Sequence, residues 1–501
     1  MGSSDSHSKF STDKQDASTL VWNPHVGVWW LHTLVELSSL FLRPLLIISV
    51  YTKYFCITMA HHDMRVHDPN MDRDSYNLDN LSTQRNHHES HRPNSPSDLM
   101  SGASTDIESG TSTPTHIKDA NQHPSFDIYD PNRPKLGLRQ RMKHFTWAWY
   151  TLPMSTGGLS LLFFAQPNQF PGLKTIGLVI YIINLIIFTC VTTAMVSRFF
   201  LHPGTFAKSM THPREGFFLP TFFLSVATII TSTDRYAIPK DNSNLVWAVQ
   251  ATFWGYLVVT LILSIGQYSY VFAAHSFSLT TMMPTWILPI FPIMLSGTIA
   301  SVIAETQPHV AAVPIIVAGL TCQGLGLSVA VMMYAHMIGR LMQAGLPNRE
   351  HRPGLFMCVG PPAFTALALI GMAEGLPEDI DFIQDGTFIN VGMVRLMATM
   401  SAIFLWALSL WWFGIAAVAV IQSPPKYFHL GWWAMVFPNT GFTLATISIA
   451  RSLGSKAIGW FATGMSIVIL SAFAFIFYSH VRAVISQDIM YPGRDEDVED
   501  H

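Results

Sequence analysis

The residues of this chain best suited to chemistry are uncharged. Ser155, Thr156, Gly157 and Gly158 follow Pro153. Ser296 and Thr298 follow Pro289 and Pro292, and Asn439 and Thr440 follow Pro438. Each group sits where proline breaks a long apolar run. A proline inside a helix removes a backbone hydrogen bond and bends the helix. Exposed N–H groups at such a break, the positive end of a half-helix dipole and nearby hydroxyl donors can solvate an anion without a buried countercharge. The competing reading is that small residues merely let helices pack closely. Similar breaks on alternating apolar runs favour a polar pathway.

Charged candidates are few. Glu305 and Glu374 fall at the ends of apolar runs, and His309 follows Glu305 by one helical turn of sequence. Buried relays of such groups mark proton pathways. These three are therefore the candidates for proton coupling, against the simpler reading of solvated helix ends. Arg395 lies near the start of another apolar run, where it either draws anions toward a mouth or snorkels to the interface. The chain has no G-x-x-x-x-G-K-[ST] and no H-E-x-x-H, and Gly324 and Gly326 complete no dinucleotide fingerprint. His87, His88, Glu89 and His91 resemble a metal site but sit in a polar tail, where solvated histidines are the better reading. No metal and no cofactor is expected, and a membrane-embedded enzyme has little to stand on.

The elements that must position these residues follow from composition and period. Of 501 residues, 49% are hydrophobic and 12% charged, against about 25% charged in soluble domains. The net charge of −3 suggests no nucleic-acid partner. Cys56, Cys190, Cys322 and Cys358 have neither disulfide nor zinc spacing. The broken runs begin at Pro153, Pro220, Pro289, Pro361 and Pro438, which lie 67 to 77 residues apart. That period holds two membrane crossings of about 20 residues each, plus loops. Irregular backbone at membrane depth survives only inside protein or beside a water-filled cavity. The expected fold is an all-α integral membrane protein. Ten transmembrane helices form five hairpins around a central pore, with the proline-kinked odd helices inside and the even helices outside.

The spans are expected at 144–165, 175–201, 216–232, 246–270, 285–304, 309–342, 354–373, 388–421, 431–450 and 457–483. Most even members exceed what a bilayer needs, so they should tilt or protrude. Residues 1–60 read as an apolar extension, either a peripheral helix or a gene-model artefact. Residues 61–140 are polar and read as a disordered cytoplasmic tail. The ten-helix domain spans 141–485, and 486–501 form a short acidic tail. Loops on the N-terminal side carry most Lys and Arg, with Arg198, Arg214, Arg349 and Arg352 among them. The positive-inside rule then puts both termini in the cytoplasm.

Several motifs resemble a known family. They are His144-Phe145-Thr146-Trp147-Ala148-Trp149, the Ser155–Gly158 turn, His212-Pro213-Arg214-Glu215, and Trp432-Trp433 leading to Phe437-Pro438-Asn439. Together they resemble the fungal malic acid transport proteins of the tellurite-resistance/dicarboxylate transporter family. That family includes the plant slow-type anion channels and the fungal sulfite pumps. The resemblance covers roughly residues 135–485. It implies five helical hairpins around a pore and assembly as a homotrimer with a pore in each subunit. It also implies a phenylalanine on the ninth helix that occludes the pore. Phe437 matches that position, and Phe364 is the second candidate for an aromatic gate.

The function expected is plasma-membrane transport of C4-dicarboxylate anions such as malate, with uniport against proton symport left open. The rivals are sulfite efflux or a gated anion channel of the same family and, from another class, an integral-membrane enzyme or receptor.

Overall fold

A computed structural model describes residues 133–238, 243–378 and 390–496. The readings placed on residues 1–132, including His87, His88, Glu89 and His91, lie outside the described residues. The described chain is helical, with no strand among the described residues. Its longer helices are α1 (Thr151–Ala165), α2 (Leu173–Leu201), α3 (Pro220–Tyr236), α4 (Ser243–Ala274) and α5 (Phe291–Ile303). They continue as α6 (His309–Ala344), α7 (Gly360–Glu374), α8 (Val391–Gln422), α9 (Phe437–Ser452) and α10 (Lys456–Ser486). Among the described residues, eight helical segments are long and apolar enough to cross a membrane. Neither α1 nor α9 is among them. Ser, Thr, Gly and Asn dilute their apolar content.

The prolines do not kink continuous helices, as expected of interior positions. Pro289 lies inside the 3-10 segment Pro284–Ile290, and the other five sit in the first turn of an α-helix. Pro220 opens α3, Pro292, Pro361 and Pro438 are second in α5, α7 and α9, and Pro153 is third in α1. Ahead of each helix runs a 3-10 segment: Trp147–Tyr150, Glu215–Phe218, Pro284–Ile290, Arg349–Val359 and Leu430–Met435. First-turn N–H groups have no acceptor within their own helix, so proline there sacrifices no bond. The tighter 3-10 winding then re-aims the chain at the seam.

The five proline helices pack in sequence: α1 on α3, α3 on α5, α5 on α7, α7 on α9, and α9 back on α1. Long helices lie against them. Within Pro284–Thr306, 94% of an 18-residue stretch is buried, against 17% within Lys456–Ser486. Ile186, Ile262, Phe404, Phe461 and Ile485 on the long helices are exposed, as lipid contact requires. At 36 residues α6 is about 54 Å long, well beyond the ~30 Å hydrocarbon core.

Hydrogen bonds and one ion pair join the 3-10 segments at their end of the ring. Arg198 reads from sequence as a loop cation, yet it is buried in the last turn of α2. Its guanidinium pairs with Glu215 and donates to the Phe145 carbonyl at 2.8 Å. Trp147 Nε1 donates to Ser209 at 3.1 Å, and Thr221 Oγ1 donates to the Trp147 carbonyl at 2.9 Å. Trp433 Nε1 donates to His480 Nδ1 at 3.1 Å, and the Trp149 ring meets His480 at 4.7 Å. The described part of the acidic tail docks at this end too. Asp488 pairs with Arg133 at 2.9 Å, and Thr146 Oγ1 donates to Glu496 at 2.9 Å.

Candidate functional site

A cavity of about 20 Å³ lies among the five proline helices. Gly158 of α1, Thr228 of α3, Thr298 of α5, Phe364 of α7 and Phe437 and Thr440 of α9 line it, and no lining residue is charged. That volume holds about one water molecule, so no carboxylic acid passes while the walls stay put. The two phenylalanines close it. Their rings stack with centroids 5.0 Å apart and planes 28° apart, and Phe437 is 2% exposed. Glycines make room for both rings. A Cβ on Gly158 would lie 3.2 Å from the Phe437 ring, and one on Gly441 would lie 2.7 Å from the Phe364 ring. The α9 seam aims Phe437, its first residue, and the α7 seam aims Phe364 from the first turn and a half.

The hydroxyls divide into two kinds. Thr156 donates to Leu152 O, Thr228 to Ser225 O and Thr440 to Val436 O, at 2.8 to 3.0 Å. A hydroxyl whose proton is taken by its own helix offers only lone pairs to a ligand. By contrast the buried Ser155, Ser296 and Thr298 hydroxyls have no protein partner, so their protons remain available to an anion. Asn439 donates from Nδ2 to Met435 O at 2.8 Å, leaving its Oδ1 unpartnered. Gly157 does not line the cavity itself but packs against Thr228, which does, and against Asn184 of α2.

The charged candidates lie elsewhere. Arg395, near the start of α8, pairs with Glu378 at 3.0 Å, with 40% of its side chain exposed. Glu305 pairs with Arg235 at 3.1 Å and is half exposed. Glu374 is exposed at the end of α7. The side chain of His309 lies outside the described residues. Arg395, Glu305 and Glu374 do not line the cavity. A larger depression, about 540 Å³, lies between α6, α7 and α8, walled by Leu320, Leu327, Met400 and Phe404. Its polar members are Gln323, Thr365 and Ser401; Gln323 Nε2 donates to Thr365 Oγ1 at 2.8 Å, and no lining residue is charged.

Sequence reasoning missed Asn184. It is a lone polar residue in an apolar run and is fully buried, with neither amide atom bonded to protein. Its isolation in that run was the signal available.

Residues 144–481 match the model of the SLAC1 family, described as voltage-dependent anion channel. The chain is 36% identical over 368 residues to a malic acid transport protein of Schizosaccharomyces pombe, covering 73% of this chain and 84% of that one. It is 34% identical to a putative malic acid transport protein of the same yeast, over 75% and 88% of the two chains. A sulfite efflux pump of Trichophyton rubrum is 27% identical, over 67% and 90%. The family and these relatives are channels and transporters, not enzymes. With a charge-free, ring-closed cavity at its centre and a family match over most of its helices, this chain belongs to the voltage-dependent anion channel family of anion transporters.

Proposed function

We propose that this chain carries C4-dicarboxylates such as malate across the plasma membrane, along the axis of the five proline helices. The observation that carries the reading is the Phe364–Phe437 stack, which closes a cavity lined from all five helices. An apolar constriction blocks ions because it offers them no hydration. The rings must swing aside for substrate to pass. The Ser155, Ser296 and Thr298 protons and the α-helix N-termini beside them then meet the anion. In this reading α1 and α9 also cross the membrane, giving ten spans in five hairpins. Both termini are cytoplasmic, and three copies assemble with one pathway each. The malic acid transport relatives, at 36% and 34% identity, favour malate over sulfite.

Uptake of labelled malate, sulfite and chloride into vesicles holding the purified chain tests this. Saturable malate uptake that exceeds sulfite uptake is expected. Chloride current with no malate uptake replaces the carrier reading with a channel, and sulfite flux alone replaces it with a sulfite pump.

A further inference from the structure

We infer that Asn184, on an outer helix, is a ligand of the permeating acid and selects carboxylic acids over spherical anions; this rests on the dicarboxylate reading above. Asn184 lies midway along α2 and is 0% exposed. Neither its Nδ2 nor its Oδ1 has a hydrogen-bond partner in the protein. Burying an amide unsatisfied is expensive, and natural cores avoid it. Elsewhere on α2, Thr189, Thr193 and Ser197 bond their own helix backbone, which a hydroxyl can do at this spacing. Asn184 makes no such bond.

The amide packs against the α1 backbone beside Thr228, at a point where only glycine fits. A Cβ on Gly157 would lie 2.9 Å from Asn184 Nδ2 and 2.3 Å from Thr228 Oγ1. Thr228 and Gly158, the next residue along α1, line the central cavity. The outer helix thus reaches, across Gly157, to the wall of the path. Gly158 leaves room for the Phe437 ring, from which an added Cβ would lie 3.2 Å.

An amide presents both a donor and an acceptor. A ligand that satisfies both must itself accept and donate. A hydroxy-acid, or a half-protonated dicarboxylic acid, does so: its carboxylate takes the Nδ2 proton and its hydroxyl donates to Oδ1. Chloride can take only the Nδ2 proton and leaves Oδ1 orphaned. A site whose buried polar groups stay unpaired with the wrong ligand rejects that ligand.

The test compares wild type with Asn184→Leu and Asn184→Ala in proteoliposomes, measuring malate and chloride flux in the same vesicles. Leucine nearly matches the volume and removes the orphan amide, and alanine cannot clash. In both variants the malate-to-chloride ratio should fall on the order of tenfold, chiefly through a raised malate KM. The thermal midpoint of Asn184→Leu should hold or rise, since no buried contact is lost. An unchanged ratio in either folded variant overturns the role of Asn184, as does a fall in midpoint with the ratio intact. Wild type that moves no malate overturns the dicarboxylate reading, and with it this ligand class. Wild type that moves malate while the variants keep its ratio overturns only Asn184.

Discussion

The middle of the helix ring and its 3-10 end are both buried and both polar, yet they use polarity in opposite ways. At the 3-10 end, opposite charges and matched donors meet: Arg198 with Glu215, Trp433 with His480, Trp147 with Ser209, while Trp149 Nε1, Trp432 Nε1 and His480 Nε2 there have no protein partner. In the middle there is no charge. Ser155, Ser296, Thr298 and Asn184 keep polar atoms that no protein group satisfies. A satisfied network rigidifies, whereas an unsatisfied one is an invitation to a ligand. His144–Trp149 and His212–Glu215 contribute largely to the frame, and of the residues after the prolines Gly158, Thr298 and Thr440 line the cavity.

The sharpest way to break this comparison is at the frame. Arg198→Met removes the guanidinium that holds both Glu215 carboxylate oxygens at a buried site, which should cost about 3–5 kcal/mol. Thermal unfolding in detergent should show it. The double replacement of Arg198 by Met and Glu215 by Leu should recover most of the loss. Equal instability of the double variant would mean the pair is not an isolated frame element.

Phe437→Ala addresses the path. The stack with Phe364 contributes about 1 kcal/mol beyond burial, so its loss shifts closed toward open roughly fivefold. Passive anion current should rise by at least that factor while saturable malate uptake falls. Phe364→Ala should act in the same direction and more weakly. If current and labelled flux both stay at the wild-type level, corrected for protein amount, the rings are packing and not a gate.

Gly441→Ala should push the Phe364 ring, because the added Cβ lands 2.7 Å from it. Overpacking of this kind costs about 1–3 kcal/mol. Malate uptake should change more than it does with Gly431→Ala, where nothing lies within 4 Å of the added Cβ. Equal effects would place no special demand on the ring.

His429 tests the frame by pH. Burial first, then the nearby His351, pushes its pKa down to about 4. The unfolded chain accepts a proton near the ordinary value of about 6.5, which the folded chain refuses. Stability should therefore fall as pH drops from about 6.5 to about 4. His429→Gln should flatten that part of the thermal-midpoint profile, and a variant whose profile still falls there would assign the loss to another group.

The smallest effect is expected at Glu305. Its pair with Arg235 is exposed, and such pairs contribute about 0.2–1 kcal/mol. Glu305→Gln should leave stability nearly unchanged and uptake at neutral pH intact. Loss of the pH dependence of uptake in this variant would move proton exchange to the helix end.

Much of the helical layout was legible in the sequence. The expected spans at 175–201, 246–270, 309–342, 388–421 and 457–483 lie close to α2, α4, α6, α8 and α10. Long apolar runs fold as helices wherever backbone groups cannot bond to water. The proline positions were legible as breaks, but not their form. Only the structure distinguishes an interior kink from a 3-10 segment that hands over to an α-helix. Phe364 and Phe437 were legible as a pair of candidates from a resemblance, while their stacking was not. Arg198 misled, because a cation near the end of an apolar run looks like a loop charge until Glu215 folds onto it.

By itself, then, the sequence determined where helices form and which of them carry breaks, because hydropathy and proline act on neighbouring residues. Tertiary structure decided which side chains share a space. Seventy-three residues separate Phe364 from Phe437, and Asn184 meets Gly157 across two different helices. No local rule couples positions so far apart. They meet because α7 packs on α9 and α2 packs on α1.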